Sequence, residues 1–528
     1  MNIRIARLIF FVCAITALTI PTGLNGQSGK GKHHHYKLID IGTFGGPQSY
    51  IVETGIPRAG TDINNSGVFA GFADTSTPDF FPAACFNPDC FVSHAFQRRN
   101  GGMNDLGALL SGLSSAPAGI SASGLIAGFS QNGVIDPLTG VPELRAVLWQ
   151  NGGITDLGTL PEGGYESAAN AVNSSGQVAG IAMNTVPDSN SLTLTLDYFP
   201  PSTQVRAFEW ERGVMQDLGT LGGTDAVAAV INERGQVLGW SYTSTTQAGA
   251  CFPFALGSFV WERGKGMRSV GNLGGTCTEA MDLNNRGQVV GFSLTEGDTF
   301  SRAFLSENGH IQDLGGSLGG SSTGAFKVNE AGQAVGFGYL AGDTLFHATL
   351  WRQVGQITDL GTIGDDACSR ATDIDAQGQV VGGDSTLAQC LGEELFTRAF
   401  LWEDGTIFDL NTLIPSGSSL YLLDPETIND QGEIAGNGVD ASGNQHAFLL
   451  IPCDENHPGI EGCDYSLVDP ATLAEVRPPQ ITTAATTATA TATASSQPKL
   501  SPVELMARFR SAQARSSHRF ATTPTTPQ

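Results

Sequence analysis

One motif returns eight times along this chain, and few folds can accommodate it. Residues Asp217 to Ser241 read DLGTLGGTDAVAAVINERGQVLGWS, and relatives of this segment begin at Asp40, Asp105, Asp156, Ser269, Asp313, Asp359 and Asp409. The spacing runs from 44 residues (Ser269 to Asp313) to 65 (Asp40 to Asp105), with the variation confined mainly to one loop. Self-similarity at such a period marks a repeat architecture, in which each copy is one supersecondary unit. Glycine supplies 68 of the 528 residues, about twice ordinary usage, while charged residues are 15% against about 25%. A coiled coil and charge-driven disorder are therefore excluded, and short strands joined by tight turns are favoured.

Each copy reads as four strands. The first ends near Ile-Asn, as in Val230-Ile231-Asn232, and a four-residue Asn-x-x-Gly turn follows. This turn recurs at Asn64–Gly67, Asn173–Gly176, Asn232–Gly235, Asn284–Gly287, Asn329–Gly332 and Asn429–Gly432, with Ser121 and Asp375 opening the other two. Asn, Asp or Ser opening a type I turn that glycine closes is hairpin chemistry. A lone Asn with one Gly lacks the clustered oxygens calcium takes, so a metal loop is disfavoured. The second strand is like Gly287 to Phe292, the third like Arg398 to Trp402, and a short turn at Glu403–Thr406 returns the fourth through Asp409-Leu410.

Four-stranded units repeated eight times predict an all-β fold, a β-propeller, with eight blades preferred over seven and over a β-helix. The ends offer a test. The last copy stops at His446–Leu450 without a fourth strand, whereas the chain begins with an orphan one, Leu38–Gly42. If the orphan completes the last copy, no sheet edge is left open.

The order H-A-F-x-W, D-L-G-T-L-G-G, I-N-x-x-G-Q-V-V-G resembles the bacterial extracellular repeats named HAF after that tripeptide, over about residues 36–451. The resemblance implies an exported bacterial repeat protein. It implies no established activity and carries over no catalytic residue. Arg98 and Ser306 stand where copies one and five would have Trp, and Gly257 replaces His or Arg in copy four.

The residue opening the third strand is followed eleven residues later (twelve in copy six) by the Asp of D-L-G. Placing Phe400 opposite Asp409 puts Arg398 and Asp409 on one face as diagonal neighbours. Structural ion pairs are therefore expected at His94–Asp105, Arg145–Asp156, Arg206–Asp217, Arg302–Asp313, His347–Asp359 and Arg398–Asp409, with Asp40 on the closing strand for His446. Copy four lacks both members, having Gly257 and Ser269. Arginine ligates no metal and shuttles protons poorly, so these pairs read as register devices rather than a catalytic ring. The set Trp149, Trp210, Trp261, Trp351 and Trp402 holds a fixed place in the strand pattern, which favours packing between units over a ligand cage.

Residues 1–26 carry Arg4 and Arg7, an apolar run from Leu8 to Ile20, then Pro21 and small polar residues. A run that short does not span a bilayer, and the order fits a secretory signal. Without Cys13 in that leader eight cysteines remain, an even number suited to an oxidising compartment. Loop placement pairs Cys251 with Cys277 and Cys368 with Cys390 on one face, with Cys85–Cys90 and Cys453–Cys463 as local bridges. The propeller is expected over 36–452, a Cys-clipped extension over 453–480, a Thr/Ala-rich linker over 481–498 and a basic tail with a short helix over 499–528. His33-His34-His35 is expected on a loose leader, where adjacent histidines form no closed metal site.

A formal charge of −24 disfavours nucleic acid as a partner. No P-loop, dinucleotide fingerprint or G-x-S-x-G stands in its required setting, and no cofactor, metal or catalytic residue is assigned. The expected function is a secreted, monomeric, non-enzymatic scaffold that binds an extracellular ligand, glycan or protein, without a transmembrane segment. The alternative is a propeller enzyme acting on an extracellular carbohydrate or other polymer. Long inserts at Asp74–Val92 and Asn184–Gln204 make the loop face, which also carries the paired cysteines, the expected working face.

Overall fold

A computed structural model describes residues 33–469, apart from 52–61, 82–84, 87–88, 100, 139, 193–202 and 386–396. The leader 1–26, Cys390, the Thr/Ala tract and the basic tail lie outside the described residues. Among the described residues, no helix is long and apolar enough to cross a membrane.

The chain is an all-β propeller of four-stranded antiparallel units. Unit four shows the pattern: Ala226–Ile231, Gln236–Tyr242, Leu256–Glu262 and Gly266–Ser269 pair in that order. Asn232 explains its first turn. Its Oδ1 accepts from Arg234 N at 3.1 Å and Gln236 N at 2.9 Å, and Gly235 takes φ 74° at the turn's end. Phe400 lies opposite Asp409 and Trp402 opposite Ile407, as the alternation predicts. The strand ends there, because a helical turn, Leu410–Leu413, begins after Asp409 caps Asn411 N.

In units two to eight the first strand carries a bulge at one repeated place, such as between Ala228 and Val230. The bulge presses that strand's backbone toward the glycine of the second strand, and the Phe of the third strand lies over the same glycine. At Gly239 an added Cβ would meet Val227 O and sit 2.7 Å from Phe259 Cζ. Gly71, Gly180, Gly382 and Gly436 stand in like positions under Phe96, Phe208, Phe400 and Phe448. These glycines thus let three strands approach within one unit.

Neighbouring units are tied by three recurring contacts. Tryptophan packs against the D-L-G leucine of the unit before it, as Trp149 does with Leu106, whose carbonyl accepts its Nε1 at 3.1 Å. Trp351 donates likewise to Gly315 O, and Ser306, in a tryptophan position, keeps such a bond to Val270 O at 2.9 Å. A hydroxyl at the start of each of several first strands accepts the amide of the H-A-F alanine, as in Ala146 N to Ser167 Oγ and Ala303 N to Thr323 Oγ1. Finally, each turn asparagine reaches the next turn. Asn173 Nδ2 donates to Asn232 O, Asn232 to Asn284 O, Asn284 to Asn329 O and Asn329 to Asp375 O, all between 2.9 and 3.2 Å.

The terminal units use the same contacts. Tyr36–Asp40 pairs with Gln445–Pro452, placing Leu38 opposite Leu450 and Asp40 opposite Phe448. Asn429 Nδ2 donates to Asn64 O at 3.0 Å, and Ala447 N to Ser49 Oγ at 3.1 Å, so unit eight touches unit one as the others touch their neighbours. One expectation is corrected. His33–His34 is no loose leader: it pairs antiparallel with Leu467–Val468, and His33 is buried.

Candidate functional site

The residues singled out by the repeat separate into register devices and staples. His94 Nδ1 lies 2.9 Å from Asp105, His347 Nδ1 2.9 Å from Asp359, and His446 Nδ1 2.9 Å from Asp40. Arg206 grips Asp217 through Nε at 2.8 Å and Nη2 at 3.2 Å, whereas Arg302 only reaches 4.0 Å from Asp313. Arg398 lies 3.9 Å from Asp409 and closer, 3.3 Å, to Asp366. Burial raises the pKa of Asp409 despite its hydrogen bonds to Asn411 and the nearby Arg398.

Arg145 departs from the expected pattern. Its Nη2 pairs with Glu143 at 2.7 Å, and Asp156, mostly exposed, instead accepts Gly158 N. Glu143 lies two residues back on the same strand face and is buried. A buried carboxylate needs a cation more than an exposed one does, so it takes the guanidinium.

The His446–Asp40 pair makes stability depend on pH. Its hydrogen bond to Asp40 raises the His446 pKa above 6.5. Burial opposes ionisation of Asp40, but the bond to His446 and its charge, with the Gly42 amide and Ser419, together outweigh it and the pKa falls below 3.8. The histidine's contribution is complete below 6.5 and is lost as pH rises through its folded pKa. The aspartate's is present above 3.8 and is lost as pH falls through its lowered folded value. His446→Gln is therefore expected to destabilise by up to about 1 kcal/mol near pH 5.5, since the pair is half-exposed, and by less at pH 9. Urea unfolding at the two pH values measures the difference.

Disulfides join Cys85 to Cys90, Cys251 to Cys277 and Cys453 to Cys463, with Cα separations of 5.1, 5.9 and 5.4 Å. The second links unit four to unit five, where Leu256 and Cys277 also meet in a parallel bridge. Cys368 is disulfide-bonded; its expected partner, Cys390, lies outside the described residues. Among the described residues the cluster with metal-ligand spacing is Cys251, Cys277 and Glu279, and both its sulfurs belong to the disulfide.

A cleft of about 310 Å³ opens between units seven and eight, on the side of the Asn-x-x-Gly turns. Gln377 and Gln379 come from the seventh first turn, and Asp430, Gln431 and Gly432 from the eighth. Glu403 enters from the end of the unit-seven third strand. Pro452 ends the third strand of unit eight, and Asp454 and Asn456 follow it, where the Cys453–Cys463 clip folds the extension back. His33, His34 and Tyr36 cover one wall.

The polar groups are held in place. Gln379 Nε2 donates to Glu403 Oε1 at 2.8 Å, and the other carboxylate oxygen lies 3.2 Å from His33 Nε2. His33 Nδ1 lies 2.8 Å from the His34 carbonyl, which requires the proton on Nδ1. A second proton, on Nε2, makes the ring a cation facing Glu403. Burial lowers the His33 pKa and works against that cation, while the His34 carbonyl and Glu403 favour it. The ring stacks on Tyr36, centroids 5.8 Å apart, and tilts against Phe408 at 5.1 Å.

Reading the repeat by itself did not single out this site. Its signal was present in the recurring Gln of G-Q-V-V-G and the recurring Glu after W, but these occur in several copies. Gln236 and Glu262 repeat the contact at 3.4 Å in unit four. What distinguishes unit seven is the amino-terminal strand laid beside it.

Other buried acids have backbone work. Burial pushes Glu166 up to about 8, and Leu144 N donates to it. Burial likewise pushes Asp225 to about 7, against donors Leu192 N and Val205 N. Each carboxylate satisfies amides at the edge of the preceding unit.

No family model matches the chain, and no curated protein does. Solved structures similar in outline include a Mycobacterium tuberculosis puromycin-hydrolyzing peptidase, 12% identical over 77% of this chain and 62% of that one, TM-score 0.39. Porphyromonas gingivalis dipeptidyl peptidase 4 is 9% identical over 72% of this chain and 58% of that one, TM-score 0.41. A Trypanosoma rangeli sialidase is 10% identical over 79% of this chain and 59% of that one, TM-score 0.27. The chain spans less than two thirds of these proteins, and similarity at this level carries no chemistry across.

Proposed function

We propose that this chain is an exported, closed eight-bladed propeller that binds a hydroxyl-rich ligand, a glycan, in the cleft between blades seven and eight. One observation carries the reading: carboxamides of Gln377, Gln379, Gln431 and Asn456 converge with three carboxylates beside a stacked His33–Tyr36 wall. A carboxamide both donates and accepts, as a sugar hydroxyl does, and a carboxylate accepts from further hydroxyls. The reading places the working face on the turn side rather than the loop side.

Chain beginning at residue 27, screened on a glycan array and then titrated with the best soluble oligosaccharide, tests this. The double variant Gln379→Ala/Gln431→Ala is expected to bind at least about tenfold more weakly, a loss of about 1.4 kcal/mol. Unchanged affinity in the double variant, or an array with no binder, overturns the proposal.

A second reading, an enzyme acting on an extracellular carbohydrate or other polymer, is favoured by the His33–Glu403 contact. A buried imidazole against a carboxylate can move a proton. Release of new ends from a polysaccharide, abolished by His33→Ala with binding retained, would select it.

A further inference from the structure

Six of the eight first turns open with asparagine, and its two side-chain atoms do separate jobs. Oδ1 accepts amides of its own turn, while Nδ2 donates to the carbonyl of the next turn and, in all but Asn64, to the glutamine or glutamate four residues on. Asn329 is typical: Oδ1 accepts Ala331 N and Gln333 N, and Nδ2 donates to Gln333 Oε1 and Asp375 O, both at 2.9 Å.

Asp375 opens the seventh turn with the same fold. Its Oδ1 accepts Gln379 N at 2.8 Å, as an asparagine Oδ1 would. Its Oδ2 therefore takes the place of the amide that in the sister turns donates to the residue opening the next turn, as Asn284 does to Asn329 O and Asn329 to Asp375 O. After the seventh turn that residue is Asn429, and the Gln379 amide end is already held by Glu403. Asp375 is 2% exposed, and Oδ2 has no hydrogen-bond partner.

We propose that Asp375 is held as a carboxylic acid whose Oδ2–H donates to Asn429 O, and that losing this proton loosens the unit-seven to unit-eight junction that walls the cleft. The acid form reproduces the asparagine bond; the carboxylate sets two unshared acceptors against each other in a buried place. Asp430, facing it from the eighth turn, adds a negative charge, although its Oδ1 also accepts Ala376 N at 2.9 Å and keeps one link at any pH. From the amino-terminal strand the neighbouring titratable group is Tyr36, whose own ionisation the Asp375 charge disfavours. Burial pushes the Asp375 pKa up to about 7, against the donors Gln379 N, Gly378 N and Gln377 N. With 3.8 as the unfolded value, the folded protein holds a proton that the unfolded chain has released. This group's stabilisation thus falls as pH rises from about 4 to 7 and levels off above.

Asp375→Asn makes the bond permanent and uses a residue that six sister turns accept. Its melting temperature is expected to lie near wild type at pH 4 and to exceed it by about 2–4 °C at pH 8. The reciprocal variant Asn329→Asp is expected to melt lower than wild type at pH 8 and to recover at pH 5. Infrared difference spectra, wild type minus Asp375→Asn, should show a protonated carboxyl band at pH 5 that titrates away near pH 7. An equal temperature shift at both pH values, or no such band, overturns the proposal. None of these readouts needs a ligand, so failure here is distinct from failure of the glycan reading.

Discussion

Deleting Tyr36–Asp40 is expected to remove most of the protein's stability. These five residues pair along their whole length with Gln445–Pro452, and two flanking bonds, Ile41 N to Ala447 O at 3.1 Å and Cys453 N to His35 O at 2.8 Å, extend the seam. Tyr36 is 2% exposed and packs with Phe408, Phe448 and Leu450. Burying one such side chain is worth about 1.5–3 kcal/mol. The strand also brings Asp40 to His446 and keeps Leu449 and Phe448 beneath a paired edge, and an unpaired edge strand invites association. The summed loss is about 5 kcal/mol or more, comparable with the whole stability of an ordinary domain. Urea unfolding should show this as a midpoint shifted far down or as loss of soluble protein. Deleting 481–528 should leave the midpoint in place. A full-stability protein lacking Tyr36–Asp40 would show that unit eight does not depend on the amino-terminal strand.

The second large effect is expected from one methyl group. Gly239→Ala places a Cβ against the Val227 carbonyl and 2.7 Å from Phe259 Cζ, in a sandwich of three strands. Neither neighbour can retreat. The Val227 carbonyl belongs to a strand whose next residues bulge, and Phe259 is fully buried among Ala171, Leu218 and Trp261 of two units. Overpacking of this kind costs about 1–3 kcal/mol where side chains can shift and more where backbone must. A loss of about 3 kcal/mol or more is expected by chemical unfolding. Gly153→Ala supplies the control, since its Cβ would stand 3.6 Å from the nearest atom, the Gln150 carbonyl. Equal, small effects at both positions would mean that the second-strand glycine is tolerated rather than required.

Among the described residues, 33–469, the sequence by itself determined whatever depends on neighbours along the chain or on the repeat. Asn-x-x-Gly is a hairpin because its atoms bond within five residues, and alternation sets Phe400 opposite Asp409 because side chains leave a strand with period two. The incomplete copies at the two ends pointed to Leu38 pairing near Leu450, since a unit with three strands and an orphan fourth are complementary. Only the tertiary structure decided what depends on which parts of different units come to lie side by side. Arg145 turns to Glu143 because burial, not spacing, ranks its two possible partners. The asparagine amides link turn to turn because units stack at one distance, which no single copy encodes. His33 meets Glu403, and Leu467–Val468 meets His33–His34, across more than 360 residues of chain. Contacts that distant are set by how the units pack against one another, which local chemistry does not contain.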